Sequence, residues 1–257
     1  MKRFLMKVAP VALYMLLATG PLFAQNDSNQ VRDLRLKVKP PLRIGLTGGV
    51  SVPTGNFAKT DYTDLRSGFA GPGFNLGITG TYMITQHWGI AGLVSYSRYD
   101  QSGLDNLAAG YVASFAVSDA TIRVKDDTHT FSYLIGGDYS VDLCHHMAID
   151  LRAMAGLVHA QLAGYEVQLE DNVSSTFQQR SARANTIGYQ IGVVARYNFN
   201  SHVGIAFNLD YYYSDPDLSI ENVNRANNAG RLLTRYKEPI TGVNTDISLV
   251  YTFQKNR

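Results

Sequence analysis

The chain has 257 residues, 17% of them charged, and a formal charge of +2 that falls to about −1 once Lys2, Arg3 and Lys7 of the acid-free first 24 residues are set aside. A polyanionic nucleic-acid partner therefore has no electrostatic support. The single cysteine, Cys144, excludes an intramolecular disulfide, and past the N-terminus no run approaches the roughly 18 consecutive apolar residues of a spanning helix.

Residues 1–24 read as a secretory signal peptide: MKRFLMK is basic, VAPVALYMLLATG apolar, and PLFAQ offers cleavage after Ala24. The apolar run is short for a membrane anchor, and Pro10 and Pro21 interrupt it. A lipoprotein would need a cysteine at the junction. Residues 25–41, QNDSNQVRDLRLKVKPP, read as a periplasmic tail without a domain of its own. A first strand is predicted over 42–52, LRIGLTGGVSV, where apolar and small or polar residues alternate.

Three hairpins follow, each an alternating strand, a tight turn and a second alternating strand. The leading strands are 73–84, 129–141 and 185–199. The turns and trailing strands, TQHWGIAGLVSYSRY, LCHHMAIDLRAMAGL and NSHVGIAFNLDYYY, share a histidine, an apolar residue, Gly or Ala, then Ile, which is a weak repeat at a spacing of about 60 residues. A last strand is predicted over 242–253, and 254–257 form a short tail. The other connections, 53–72, 100–128, 159–184 and 214–241, are long and polar. Short and long connections alternate throughout, so 42–253 is expected to be an all-β domain, an eight-stranded up-and-down antiparallel barrel. Within 105–124, DNLAAGYVASFAVSDATIRV, three arrangements stay open: a helix over the mouth, a hairpin extension, or two further barrel strands, with a hairpin or short helix outside the bilayer favoured.

The two faces of the strands decide what lies inside. The polar face carries Gly45, Thr47, Gly49, Asn75, Gly77, Gly136, Asp138, Asp150, Arg152, Gln190, Gly192, Arg196, Asn208 and Asp210. It holds no lysine; beyond residue 24, Lys37, Lys39, Lys59, Lys125, Lys237 and Lys255 all fall in tails or connections. A water-exposed sheet face would carry such long cations, whereas a crowded lumen would not. The apolar face has aromatic residues near both strand ends and aliphatic ones between. Tyr82, Trp88, Tyr139, Tyr197, Phe199, Tyr251 and Phe253 lie toward the short turns, and Phe74, Tyr96, Phe131, Tyr133, Tyr211 and Tyr213 toward the long connections. Two aromatic girdles around an aliphatic band suit a bilayer. From Val203 to Tyr213 a strand rises about 33 Å, or about 25 Å vertically at a tilt near 40°. The interior of an eight-stranded barrel is filled by side chains. Asp138, Asp150, Arg152, Arg196 and Asp210 are therefore expected to form a structural, charge-paired lumen cluster.

Sites for chemistry are sparse. His129 and Ser132 lie near the long-connection rim but on opposite faces by strand parity, and His159 precedes Glu166 and Glu170 without a recognisable geometry. The turn histidines His87, His145, His146 and His202 fall at separate points of a circumference, which favours polar turn residues over a metal site. Cys144 reads as a small turn residue or free thiol. GLTGG and GPGFNLGITG lack the helix and Lys-Ser/Thr of a phosphate loop. No catalytic residue, cofactor or metal is expected.

The stretch GLTGGVSVPTGNF, the Ala24-Gln25 junction and the closing DISLVYTF carry a resemblance over most of the chain. They resemble the small outer-membrane β-barrel proteins of the OmpA/OmpX type, in particular the "outer membrane protein beta-barrel domain" group common in Bacteroidetes-like bacteria, with its PorT-like subset. The closing segment is similar to the signal read by the barrel-assembly machinery, although Ser248 stands where glycine is usual and QKNR follows Phe253. The resemblance implies a porin-family protein of the Gram-negative outer membrane, in contact with lipid and lipopolysaccharide. Three functions fit it: a non-enzymatic barrel displaying loops for envelope integrity, adhesion or surface interaction; a narrow channel or small-solute binder; or an accessory part of a secretion or assembly machine.

Overall fold

A computed structural model describes residues 42–64, 67–144, 146–170, 176–224 and 231–253. The leader (1–24), the N-terminal tail (25–41), the C-terminal tail (254–257) and His145 lie outside these residues. The strands are β1 (Leu42–Pro53), β2 (Gly71–Met83), β3 (Trp88–Asp100), β4 (Ala120–Val124), β5 (Thr128–Asp142), β6 (Met147–Leu162), β7 (Tyr165–Leu169), β8 (Thr176–Gln179), β9 (Ala182–Asn198), β10 (Val203–Ser214), β11 (Asp217–Asn224), β12 (Arg231–Lys237) and β13 (Ile240–Phe253). One helix, α1 (Leu104–Phe115), lies between β3 and β4.

Eight strands close on themselves in the order β1-β13-β10-β9-β6-β5-β3-β2. All their pairings are antiparallel, and the seam runs without a break from Leu42 opposite Phe253 to Pro53 opposite Gly242. Closure leaves no barrel edge, and an unpaired backbone group in hydrocarbon would cost several kcal/mol. The burial order is inverted relative to a water-soluble protein. Leu46 and Ile135 are 65% exposed and Ile187 71%, while Asp138 is fully buried and Asp150 is 2% exposed. Such a surface is stable only against an apolar solvent.

The histidine repeat is a construction unit at the short-turn end. The main-chain carbonyls of His87, His146 and His202 accept from the N–H groups of Ser140, Asn198 and Thr252 on the next strand, each at 2.7 Å. Each of these acceptances extends the ladder past the turn. The three imidazoles lie beside Tyr139, Tyr197 and Tyr251, with ring centroids 6.0–6.1 Å apart. Two of the turns are also held by polar side chains: Thr85 Oγ1 accepts from Trp88 N at 2.9 Å, and Asn200 Oδ1 from His202 N and Val203 N at 2.8 Å.

The long connections correct one expectation. They are not simply polar loops, because they hold a second, five-stranded sheet ordered β12-β11-β8-β7-β4, together with α1. Residues 105–124 add no strand to the barrel; they supply most of α1 and then β4. Physically, the segments ATIRV, YEVQL and TFQQ are short, and their partners are distant in sequence, as where Ala120 sits opposite Leu169. Pairing of that kind leaves little trace in local periodicity. The helix lays Ala108, Tyr111 and Val112 against buried Ala120, Val167 and Leu169, with Phe177 alongside. It ends at Ala116, whose φ of 50° is left-handed.

Candidate functional site

Strand parity directs one set of side chains into the lumen, where they form layers. Nearest the short turns is an ion network. Asp138 on β5 lies directly opposite Arg152 on β6, and the Arg152 Nε donates to its Oδ1 at 3.2 Å. Asp150 on β6 receives Arg196 of β9 through Nε at 3.2 Å and Nη2 at 3.3 Å, and also the Ser140 hydroxyl. Arg43 of β1 crosses from the far wall. Its Nη1 donates to both Asp150 oxygens at 3.2 and 3.4 Å, and its Nη2 to Asp138 Oδ2 at 3.0 Å. In the closed order β1 and β6 are four strands apart in either direction, so this guanidinium spans the lumen. Three cations face two anions here, all at most 10% exposed.

Asp210 makes no ion pair among the described residues. It belongs with Asp246 and two asparagines: Asn75 Nδ2 donates to Asp246 Oδ2 at 2.8 Å, and Asn208 Nδ2 to Ser248 Oγ at 2.7 Å. Asp210 lies opposite Gly192, and Asp246 opposite Gly49. A methyl group on Gly192 would stand 1.9 Å from Asp210 Oδ1, and one on Gly49 2.5 Å from Asp246 Oδ1. The glycines leave the space that these carboxylates occupy. Both Oδ1 atoms are buried without a hydrogen-bond partner among the described residues. The lumen thus carries Arg43, Arg152 and Arg196 against Asp138, Asp150, Asp210 and Asp246.

Toward the long connections the filling becomes apolar. Phe57, from the connection 54–70, is fully buried and sets its ring edge-on to Tyr99 at 4.8 Å. Tyr212, Leu218, Ile220 and Ile240 belong to the same cluster. The connection is pinned where Gly68 N donates to Asn56 O at 3.0 Å, Ala70 N to Phe57 O at 3.1 Å and Thr54 N to Thr241 O at 2.9 Å. Below this cap, a cavity of about 20 Å³ lies among Arg43, Asp150, Arg152 and Arg196. That is room for one water, far below a solute path.

The girdle residues lie on the outer surface. Trp88 packs on Tyr139 at 4.8 Å, Tyr197 on Phe199 at 5.5 Å and Tyr251 on Phe253 at 4.7 Å, all near the short turns; Tyr82 is half-exposed beside them. At the other end Tyr189 stacks on Tyr213 at 4.9 Å, and Tyr211 is exposed. The remaining candidates do not assemble. Ser132 points into the lumen, while His129 packs on Tyr96 at 5.6 Å. His159 contacts Asn185, whereas Glu166 sits on the second sheet, paired with Lys125 at 2.5 Å. Among the described residues no group of three or more His, Cys, Asp or Glu is placed to hold a metal.

Three residues central to this interior were not read from sequence. Arg43 shares the parity of Gly45 and Thr47, and Asp246 that of Ser248 and Val250, so the alternation already assigned both inward. Phe57 sits in a connection, where no periodicity reports burial.

A closed barrel with an apolar, girdled exterior and its charges inside defines an outer-membrane β-barrel protein, and specifically one of the small eight-stranded barrels. No family model matches the chain, and no curated protein matches it either. In fold it is similar to a major outer membrane protein from Thermus thermophilus, at 12% identity and a TM-score of 0.48, covering 82% of this chain and 99% of that one. It is also similar to Ail, the attachment invasion locus protein of Yersinia pestis, at 14% identity and TM-score 0.41 over 84% of this chain and 99% of that one. The N-terminal β-barrel domain of Pseudomonas aeruginosa OprF gives 12% identity and TM-score 0.40, over 84% and 100%.

Proposed function

We propose that this protein is a non-enzymatic scaffold of the outer membrane that displays a folded platform outside the cell for adhesion, surface interaction or envelope integrity. The observation that supports it best is the double closure of the barrel. The Arg43–Asp138–Asp150–Arg152–Arg196 network fills one end, and Phe57 with its cluster fills the other. Filling of this kind favours a scaffold over a conduit. The long connections, by contrast, invest in ordered structure, with α1 and five strands, and function on β scaffolds concentrates in such segments.

On this reading the short turns face the periplasm, the girdled belt meets lipid and lipopolysaccharide, and the assembly machinery reads DISLVYTF during insertion. Kinship with the Bacteroidetes-like barrel group, and with its PorT-like subset, rests on GLTGGVSVPTGNF and that closing segment. Planar-bilayer recording tests the scaffold directly. A silent membrane is expected; steady discrete openings would overturn the scaffold in favour of a channel. Binding of purified protein in nanodiscs to host-cell or neighbouring-cell surfaces, lost when 104–124 are replaced by a short turn, is the positive counterpart.

A further inference from the structure

Beyond this scaffold role, we propose that Glu238 is a proton-operated latch on the mouth formed by the long connections, holding the Phe57 cap while protonated and releasing it when ionised. Glu238 joins β12 to β13 and is 1% exposed, yet neither of its carboxylate oxygens has a hydrogen-bond partner among the described residues. Its main-chain N–H donates to the carbonyl of Pro216 at 3.3 Å, which ties the β12–β13 junction to the β10–β11 junction. Pro216 is itself fully buried, and two residues further on from Glu238, Ile240 enters the cluster that holds Phe57, Tyr99 and Leu218.

The charges around Glu238 are hostile to its ionised form. Asp64, from the connection 54–70, and Asp215, from the β10–β11 junction, both act on it electrostatically. The nearby cations are already engaged elsewhere. Lys59 pairs with Asp64 and Asp61, Lys237 reaches Asp215 Oδ2 at 3.7 Å, and Arg235 reaches Asp217 at 3.7 Å. Burial first, and then the two neighbouring carboxylates, push the Glu238 carboxyl up to about 7.

The direction follows from linkage. The folded value lies above the ordinary one, so the latch is complete below about pH 4.5 and is lost as pH rises through about 7. Above that, the proton passes to solvent. The carboxylate then gains hydration only by swinging outward, which pulls on the Pro216 contact and on the cap beneath it. Glu238 lies at the long-connection end, away from the Arg43–Asp138–Asp150 network, so the response changes how the platform sits on the barrel.

Side-chain carbon NMR of the full-length protein in micelles between pH 4 and 9 tests this, with Phe57 ring signals recorded in parallel. Glu238 and Phe57 are expected to move with one shared midpoint near 7. In Glu238→Gln the Phe57 signals stay at their acid-side position throughout. Asp64→Asn and Asp215→Asn each lower the midpoint and leave Glu238 intact, so they serve if the glutamine variant does not fold. A Glu238 midpoint at the ordinary carboxylate value, or Phe57 signals that ignore the Glu238 titration, would overturn the latch.

Discussion

Asp150→Asn is the sharpest test of the interior. Asp150 is 2% exposed and takes hydrogen bonds from two guanidiniums, those of Arg43 and Arg196. Neutralising it changes the network from three cations and two anions to three and one. Hydrogen bonds to charged groups contribute about 1.5–3 kcal/mol each. Two of them give roughly 3–6 kcal/mol, and leaving one more buried charge unpaired independently costs about 3–5 kcal/mol. The two routes agree on a loss of about 4 kcal/mol. Urea unfolding in detergent micelles measures it, followed by heat-modifiable gel migration and by fluorescence of Trp88, the one tryptophan of the chain. Urea is preferred to guanidinium chloride because the latter screens the charges under test. The double variant Asp150→Asn with Arg43→Met restores an excess of one cation, so it is expected to lose less than the single variant. A single-variant loss below about 1 kcal/mol, or a double variant no better than the single, would refute the charge-paired lumen.

Gly49→Ala places a methyl group 2.1 Å from the carbonyl oxygen of Thr245, which is backbone and cannot swing aside. The folded fraction on refolding into micelles should fall, with a cost of about 1–3 kcal/mol, whereas Gly80→Ala, with nothing within 4 Å, should leave it unchanged. Phe57→Ala should free the connection 54–70 and leave a cavity in the apolar filling around Tyr99: trypsin cleavage after Lys59 accelerates, and the urea midpoint falls by the equivalent of about 3–5 kcal/mol. Cys144 is exposed on a short turn, so a maleimide that cannot cross the outer membrane should label it only in permeabilised cells. Labelling of intact cells would reverse the orientation. Glu238→Gln should raise thermal stability at pH 8 relative to the wild type and have little effect at pH 4.5.

The barrel was legible because its two constraints are local. Alternation with period two assigns each side chain a face, and the spacing of turns sets the strand count. The same alternation placed Asp138, Asp150, Arg152 and Arg196 on one wall, where the register then brings Asp138 opposite Arg152. What could not be read was the wall-to-wall contact, since nothing in LRIGLTGG says that Arg43 reaches residues about a hundred positions later. The second sheet escaped for a related reason. Val167 and Phe177 read as isolated apolar residues in a polar stretch until strands from three different connections are set side by side.

The reach of Arg43 across the lumen also gives the protein a way to sense its own register during assembly. While the sheet is still open, this arginine, on the first barrel strand, faces a wall that has not yet curled round to meet it. Its charge is neutralised only when β1 arrives opposite β6. A two-residue slip of β1 along β13 would preserve every inward and outward assignment and still form a ladder, but it would move the guanidinium by about 6.6 Å along the strand, out of register with both carboxylates. Strand pairing alone tolerates that error; one misplaced buried cation does not.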